Sequence, residues 1–269
     1  MDFKTMKIAL IGGGNMGEAM LAAIFKSLPA PIISVSDVSP PRLEQLKQKY
    51  AVTVTPRNPE AVSGKEIIIL AVKPQNLPEV MAELKGKIKS SQLVLSIIAG
   101  AKINTISRGL NHDAVVRAMP NTPARVGEGM SVWTATHAVT KEQKQSAKSI
   151  LGAMGKELYV EDEAYLDMAT AISGSGPAYF FLMVEALVDA AVEIGLPPDT
   201  AQELVLQTML GSGKFIQSSG EAPAALRKKV TSPGGTTAAA LARFEAGGFN
   251  ELVRRAVEAA YERAKELGK

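Results

Sequence analysis

The stretch IALIGGGNMGEAML, Ile8 to Leu21, joins a short apolar run to three spaced glycines, Gly12, Gly14 and Gly17, and then to an amphipathic segment. The spacing matches the dinucleotide fingerprint G-x-G-x-x-G, yet spacing alone also occurs in ordinary strand-to-helix turns. What flanks the glycines decides between the two. Ile8–Ile11 reads as a buried strand and the residues after Gly14 as a helix, which is the setting the fingerprint requires. Each glycine then has a mechanical task. Gly12 turns the chain, Gly14 lets the backbone approach a pyrophosphate, and Gly17 lets the helix pack against the strand. The helix N-terminus adds free amide donors for phosphate oxygens. Asp37 closes the next predicted strand, about twenty residues further on, where an acid hydrogen-bonds a ribose 2′-hydroxyl. The loop Gly12, Gly13, Gly14, Asn15, Met16 and Gly17 is therefore expected to bind a dinucleotide together with Asp37. A carboxylate there favours NADH. Arg42, one turn into the following helix, offers a counter-charge for NADPH, so both cofactors stay open.

Working outward, KIALI (Lys7–Ile11), IISVS (Ile32–Ser36), EIIILAV (Glu66–Val72), LVLSI (Leu93–Ile97) and AVVRAM (Ala114–Met119) read as strands. Near-continuous apolar runs of this kind suit parallel strands covered on both faces. Helical stretches such as Arg42–Tyr50 and Leu77–Gly86 lie between them, and Asn58 followed by Pro59 reads as an N-cap and first helical residue. The alternation predicts a doubly wound α/β sheet. MSVWTA, a helix over Lys141–Met154 and KELYV close that domain, placed at residues 1–162. After it the strand signals stop. Residues 163–269 read as an all-α domain, and its helix Pro177–Ile194 interrupts its apolar residues only with Glu185, Asp189 and Glu193. A helix apolar over most of its circumference needs cover on several sides, which predicts a homo-oligomer built through this half.

Composition narrows the function. The chain has 269 residues, 46% hydrophobic and 21% charged, with a formal net charge of +3 and no cysteine. Interleaved charges leave no basic block for nucleic acid. The absence of cysteine removes disulfides, thiolate metal sites and a thiol nucleophile, and no metal is expected. No apolar run reads as long enough for a membrane span, and the N-terminus lacks the order of a signal peptide, so cytoplasmic residence is expected. GSGKF, Gly211–Phe215, glances at a phosphate loop, but Thr208 and Phe215 occupy the positions that loop needs as Gly and Ser/Thr. It reads as helix interior.

Three further turns, AVKPQN (Ala71–Asn76), SIIAG (Ser96–Gly100) and MPNTPA (Met119–Ala124), follow predicted parallel strands at their C-terminal ends. Ligands of open α/β sheets lie along that edge. Hydroxy-acid oxidation would call for a base, most often histidine. The two histidines, His112 and His137, fall in polar stretches away from the edge and are expected at the surface. What remains suits a substrate that needs little activation, such as a protonated imine. In the helical half, VTSPGGTTAAALARFEAG (Val230–Gly247) sets a Ser-Pro-Gly-Gly-Thr-Thr turn before a helix. It leaves amides and hydroxyls at a positive helix end, matched to a small carboxylate. An ordinary Ser/Thr-capped helix start uses the same residue types.

With IGGGNMG, AVKPQ, RAMPNTPARVGEG, SGSGPAY (Ser173–Tyr179) and above all VTSPGGTTAAALARFE, the chain resembles the pyrroline-5-carboxylate reductase family over nearly its whole length. The resemblance implies a Rossmann domain followed by a helical dimerisation domain, often in rings of dimers. It implies reduction of the cyclic imine Δ1-pyrroline-5-carboxylate to L-proline with NADPH or NADH. It places Asn58, Ala71, Val72, Lys73, Pro74, Ile97, Ile98 and Ala99 with the glycine loop at the cofactor. Ser232, Gly235 and Thr236 would cradle the substrate carboxylate, Thr237 would bond the ring nitrogen and relay its proton, and Glu163 would lie near the product. Lys229 stands where some members have asparagine, and Asp37 where many have Asn or Ser. Two other readings share parts of this pattern. One is a β-hydroxy-acid dehydrogenase or imine reductase of the same architecture. The other is a non-catalytic dinucleotide sensor, which leaves Val230–Gly247 without a purpose.

Overall fold

The computed structural model describes residues 5–268. Eight strands, β1 (Lys7–Ile11), β2 (Ile32–Ser36), β3 (Thr53–Thr55), β4 (Ile67–Leu70), β5 (Leu93–Ser96), β6 (Val115–Met119), β7 (Gly129–Ala135) and β8 (Gly155–Tyr159), form one sheet. Their order is β3-β2-β1-β4-β5-β6-β7-β8. All neighbours pair in parallel except β6 with β7. The order reverses between β1 and β4, which opens the crevice that a doubly wound sheet offers a ligand. All five strands read from apolar runs are present. β3 was not anticipated. Its three residues, Thr-Val-Thr, sit at the sheet edge and carry too short a pattern to stand out.

Side chains alternate along each strand between two cores. Ile8 and Leu10 join one cluster with Met20, Ile24 and Val35, whereas Ala9 and Ile11 join another with Ile68, Leu70 and Leu84. This double burial accounts for the unbroken apolar runs. Local signals set the helix ends. Thr140 and Gln143 form a reciprocal capping box that starts Lys141–Gly152, which satisfies two amides of the first turn. Asn58 differs from expectation: Arg57 is the cap residue and Asn58 already belongs to the helix Asn58–Val62, with Pro59 at its second position. The Asn58 side chain instead donates to Glu83 Oε2 at 2.9 Å.

By compactness the chain divides into two units, one running to Ser175 and taking in the chain from Ala260, the other Gly176–Ala259. The first unit takes in the helix Ala164–Ala169, which ion pairs from Arg117 to Glu163 and Asp167 hold to the sheet. The second unit contains the helices Gly176–Glu193, Pro198–Ser219, Pro223–Lys229 and Thr236–Ala246, and most of Phe249–Leu267. Gly195, at φ +102°, ends the first of them. Gly211–Phe215 lies inside Pro198–Ser219.

Among the described apolar residues of this unit only Ala201 and Leu226 are buried, whereas Phe180, Phe181 and Leu182 are 63%, 63% and 66% exposed. An apolar surface of that extent marks an interface. Two expectations need correction. The helical run Ala164–Glu193 is long and apolar enough, by length and composition, to cross a membrane. Its four acidic residues, Asp167, Glu185, Asp189 and Glu193, lie toward its two ends and leave an apolar window between them. His112 is buried, not superficial. Its Nε2 lies 2.8 Å from the Gln92 carbonyl, which gives the ring a backbone partner inside the sheet end.

Candidate active site

The glycine loop leaves β1 with Gly12 at φ +100°, its amide donating to the Ser36 carbonyl at 2.8 Å. A Cβ at Gly12 would sit 2.7 Å from the Ala71 carbonyl oxygen, and one at Gly17 2.3 Å from that of Gly12. Both positions are closed to side chains by backbone. Gly14 differs, because a Cβ there meets nothing within 4 Å. It is the cap residue of the helix Asn15–Ser27, and no side chain caps that end. The leading amides of this helix therefore point outward without an intrahelical acceptor. An open approach, uncapped amides and a positive helix end fit a pyrophosphate.

A cavity of about 340 Å³ adjoins the loop. It brings together Gly12, Gly14, Asp37, Asn58, Ala71, Val72 and Lys73 from the sequence reading. It adds Ser36, Gln75, Asn76, Glu79 and Glu83, which that reading missed. Gln75 and Asn76 lie in the AVKPQN turn already noted at this edge. Glu79 and Glu83 come from the helix Leu77–Leu84 and carried no signal beyond an ordinary polar face. Gly13, Asn15, Met16, Gly17 and Pro74 belong to the same segments but do not line the cavity. Ile97 and Ile98 are buried beyond the end of β5, with Ala99 half-buried after them. Asp37 grips the loop: its Oδ2 accepts from the Gly13 amide at 2.7 Å and its Oδ1 from the Ser39 amide at 2.9 Å.

Glu163 has partners that the sequence did not suggest. Its Oε1 accepts from Arg117 Nη1 and from the Ile103 amide, each at 2.8 Å. Arg117 also donates to Asp167 Oδ1 at 3.0 Å. The available signal was the arginine inside AVVRAM, since a buried cation requires an anion beside it.

Within the second unit, the turn at Ser232–Gly235 precedes the helix Thr236–Ala246. Gly235, not Ser or Thr, is the cap residue, and no side chain caps the helix. Gly234 sits at φ +70°, and a Cβ on Gly235 would come within 2.5 Å of Ser232 Oγ. The two glycines let Ser232 fold back toward the helix start and leave the first amides unmet. Ser232 and Thr236 are exposed and Thr237 is half-buried. Unmet amides at a helix start can take an anion. Lys229 is occupied by Glu221, 2.7 Å away.

The sheet order and the glycine loop define a Rossmann-type dinucleotide-binding protein. The pyrroline-5-carboxylate reductase of Synechocystis sp. is 45% identical to the chain over 267 residues, covering 98% of this chain and 99% of that one. The chain belongs to the pyrroline-5-carboxylate reductase family. The family model described as pyrroline-5-carboxylate reductase dimerisation matches residues 163–267, and that for NADP oxidoreductase, coenzyme F420-dependent, matches 7–100. A solved pyrroline-5-carboxylate reductase from Coxiella burnetii superposes with TM-score 0.92 at 38% identity, covering 99% of this chain and all of that one. The Plasmodium falciparum pyrroline carboxylate reductase, solved with NADP bound, gives TM-score 0.90 at 32% identity over 99% of this chain and 100% of that one.

Proposed function

We propose that this protein reduces Δ1-pyrroline-5-carboxylate to L-proline at the expense of NADH or NADPH, the last step of proline biosynthesis. Likeness to reductases of this name over nearly the full chain carries the reading. When bound, the reduced nicotinamide supplies the hydride. The chain's own residues bind and orient. The uncapped amides at the Gly12–Gly17 loop hold the diphosphate, and Asp37, Asn58 and the turns at Ala71–Pro74 and Ile97–Ala99 complete the cofactor site. Ser232, Gly235 and Thr236 hold the substrate carboxylate at the start of their helix. The Thr237 hydroxyl oxygen accepts a hydrogen bond from the protonated ring nitrogen and keeps the proton there. Glu163 contributes through the carboxylate oxygen not committed to Arg117.

A protonated imine carbon is already electrophilic, so fixing the ring supplies most of the rate enhancement. Residues 1–162 carry the cofactor, and 163–269 carry the substrate and the self-association. The apolar face of Gly176–Ala259 supports a dimer, and rings of dimers extend it. The same reading places the enzyme in the cytoplasm, with no nucleic-acid or membrane partner. The direct test adds pyrroline-5-carboxylate to purified protein and reduced cofactor and follows the reduced-nicotinamide absorbance. Substrate-dependent loss supports the reading. Turnover of hydroxy acids instead, or cofactor binding without turnover of any imine, overturns it.

A further inference from the structure

The charged cluster beside the glycine loop decides which cofactor the reductase reading implies, and the inference rests on that reading. Arg42 stands in the first turn of the helix Pro40–Lys49, just after the second strand, from where a cation can reach a ribose 2′-phosphate. Here its guanidinium is committed elsewhere. Nε donates to the Gly13 carbonyl at 2.6 Å, Nη1 to Gln45 Oε1 at 3.0 Å, and Nη2 to the Glu18 carboxylate. Lys49 Nζ binds the other Glu18 oxygen at 2.6 Å. Arg57, the next arginine along the chain, is paired with Glu60. The Arg42 and Glu18 side chains are 23% and 20% exposed, so salt screens their pairing less than that of a surface bridge. Asp37 meanwhile lines the cavity with a carboxylate whose oxygens can each accept a further bond. Such a group suits a 2′-hydroxyl donor and repels a phosphate dianion.

We propose that Glu18 is a specificity-determining residue: by clamping Arg42 onto the Gly13 carbonyl it withholds the cation from the ribose site, leaves that site to Asp37, and makes the enzyme prefer NADH. Lys49 and Arg42 hold the Glu18 carboxyl down at about 2, so the clamp stays charged at any working pH. Glu18 touches no cofactor atom in this scheme and acts through Arg42.

The test measures dissociation constants of NADH and NADPH by calorimetry on the full chain without imine, so failure of the reductase reading leaves it intact. ADP and adenosine 2′,5′-bisphosphate serve as parallel probes of the ribose end. The wild type binds NADH at least about tenfold more tightly than NADPH. Glu18→Gln releases Arg42 and moves the ratio toward NADPH by about tenfold or more, the worth of one charge-assisted contact. Adding Arg42→Gln to that variant cancels the move, a coupling that a double-mutant cycle isolates. General damage to the loop would weaken both cofactors together and leave the ratio still. A wild type that prefers NADPH, a ratio unmoved by Glu18→Gln, or a shift that survives removal of Arg42 each overturns the proposal.

Discussion

Arg117, 3% exposed on β6, reaches Asp167 Oδ1 at 3.0 Å and so pins the helix that follows Glu163 to the sheet. The pair has to be read with its neighbour, since the same guanidinium also takes Glu163. Three charges share one largely dry site. Removing the cation leaves two carboxylates facing each other without compensation, and breaking a buried pair in this way costs about 3–5 kcal/mol.

Arg117→Met is therefore expected to lower the urea midpoint clearly. Coupling it to Asp167→Asn should recover part of the loss, because one stranded charge disappears. An unchanged midpoint in the single variant would show that the triad contributes nothing net.

Gly17 and Gly14 of the loop predict opposite phenotypes. At Gly17 an added Cβ collides with the Gly12 carbonyl at 2.3 Å, so Gly17→Ala forces backbone apart and should cost about 1–3 kcal/mol of stability. At Gly14 the Cβ finds open space. Gly14→Ala should keep its Tm yet raise the Kd for the dinucleotide by about tenfold or more, because the methyl group stands where a phosphate approaches. Thermal melts and cofactor titrations on both variants check the pair.

Acid stability offers a third check. Hydrogen bonds from Lys49 and then Arg42 lower the Glu18 carboxyl from 4.5 to about 2. The folded pKa is depressed, so the stabilising contribution is fully present above about 4.5 and fades as pH falls toward 2. Glu18→Gln should flatten the stability profile over that window relative to wild type and leave its slope unchanged near neutrality. Parallel profiles from urea melts at stepped pH would contradict the clamp.

Thr237→Ala should lower kcat/KM by about tenfold to a thousandfold, the loss of one or two charge-assisted bonds, with cofactor affinity unchanged. Steady-state kinetics with the imine varied decide it.

The sequence announced the sheet and the glycine loop because both depend on short-range constraints. Buried parallel strands must be apolar on both faces, and Gly12 and Gly17 each answer a local steric demand. β3 was too short to register, and Asn58, read as a cap, lies inside its helix with its side chain on Glu83. His112 looked superficial from its polar neighbours, while its burial depends on the distant Gln92 carbonyl. Asp37 was legible as the acid after the second strand, beside the glycine loop. The commitment of Arg42 was not, since Glu18 lies 24 positions away and faces it only after the first two strands pair. The Arg117 triad spans 46 and 50 positions. Contacts of that range leave no periodic trace.

The most direct measurement supplies the enzyme with pyrroline-5-carboxylate and a nicotinamide cofactor deuterated at the transferable position of C4, then reads the product by mass spectrometry. The account predicts L-proline carrying a single deuterium at C5, formed in step with cofactor oxidation. Unlabelled proline, or cofactor oxidised without any proline, would contradict it.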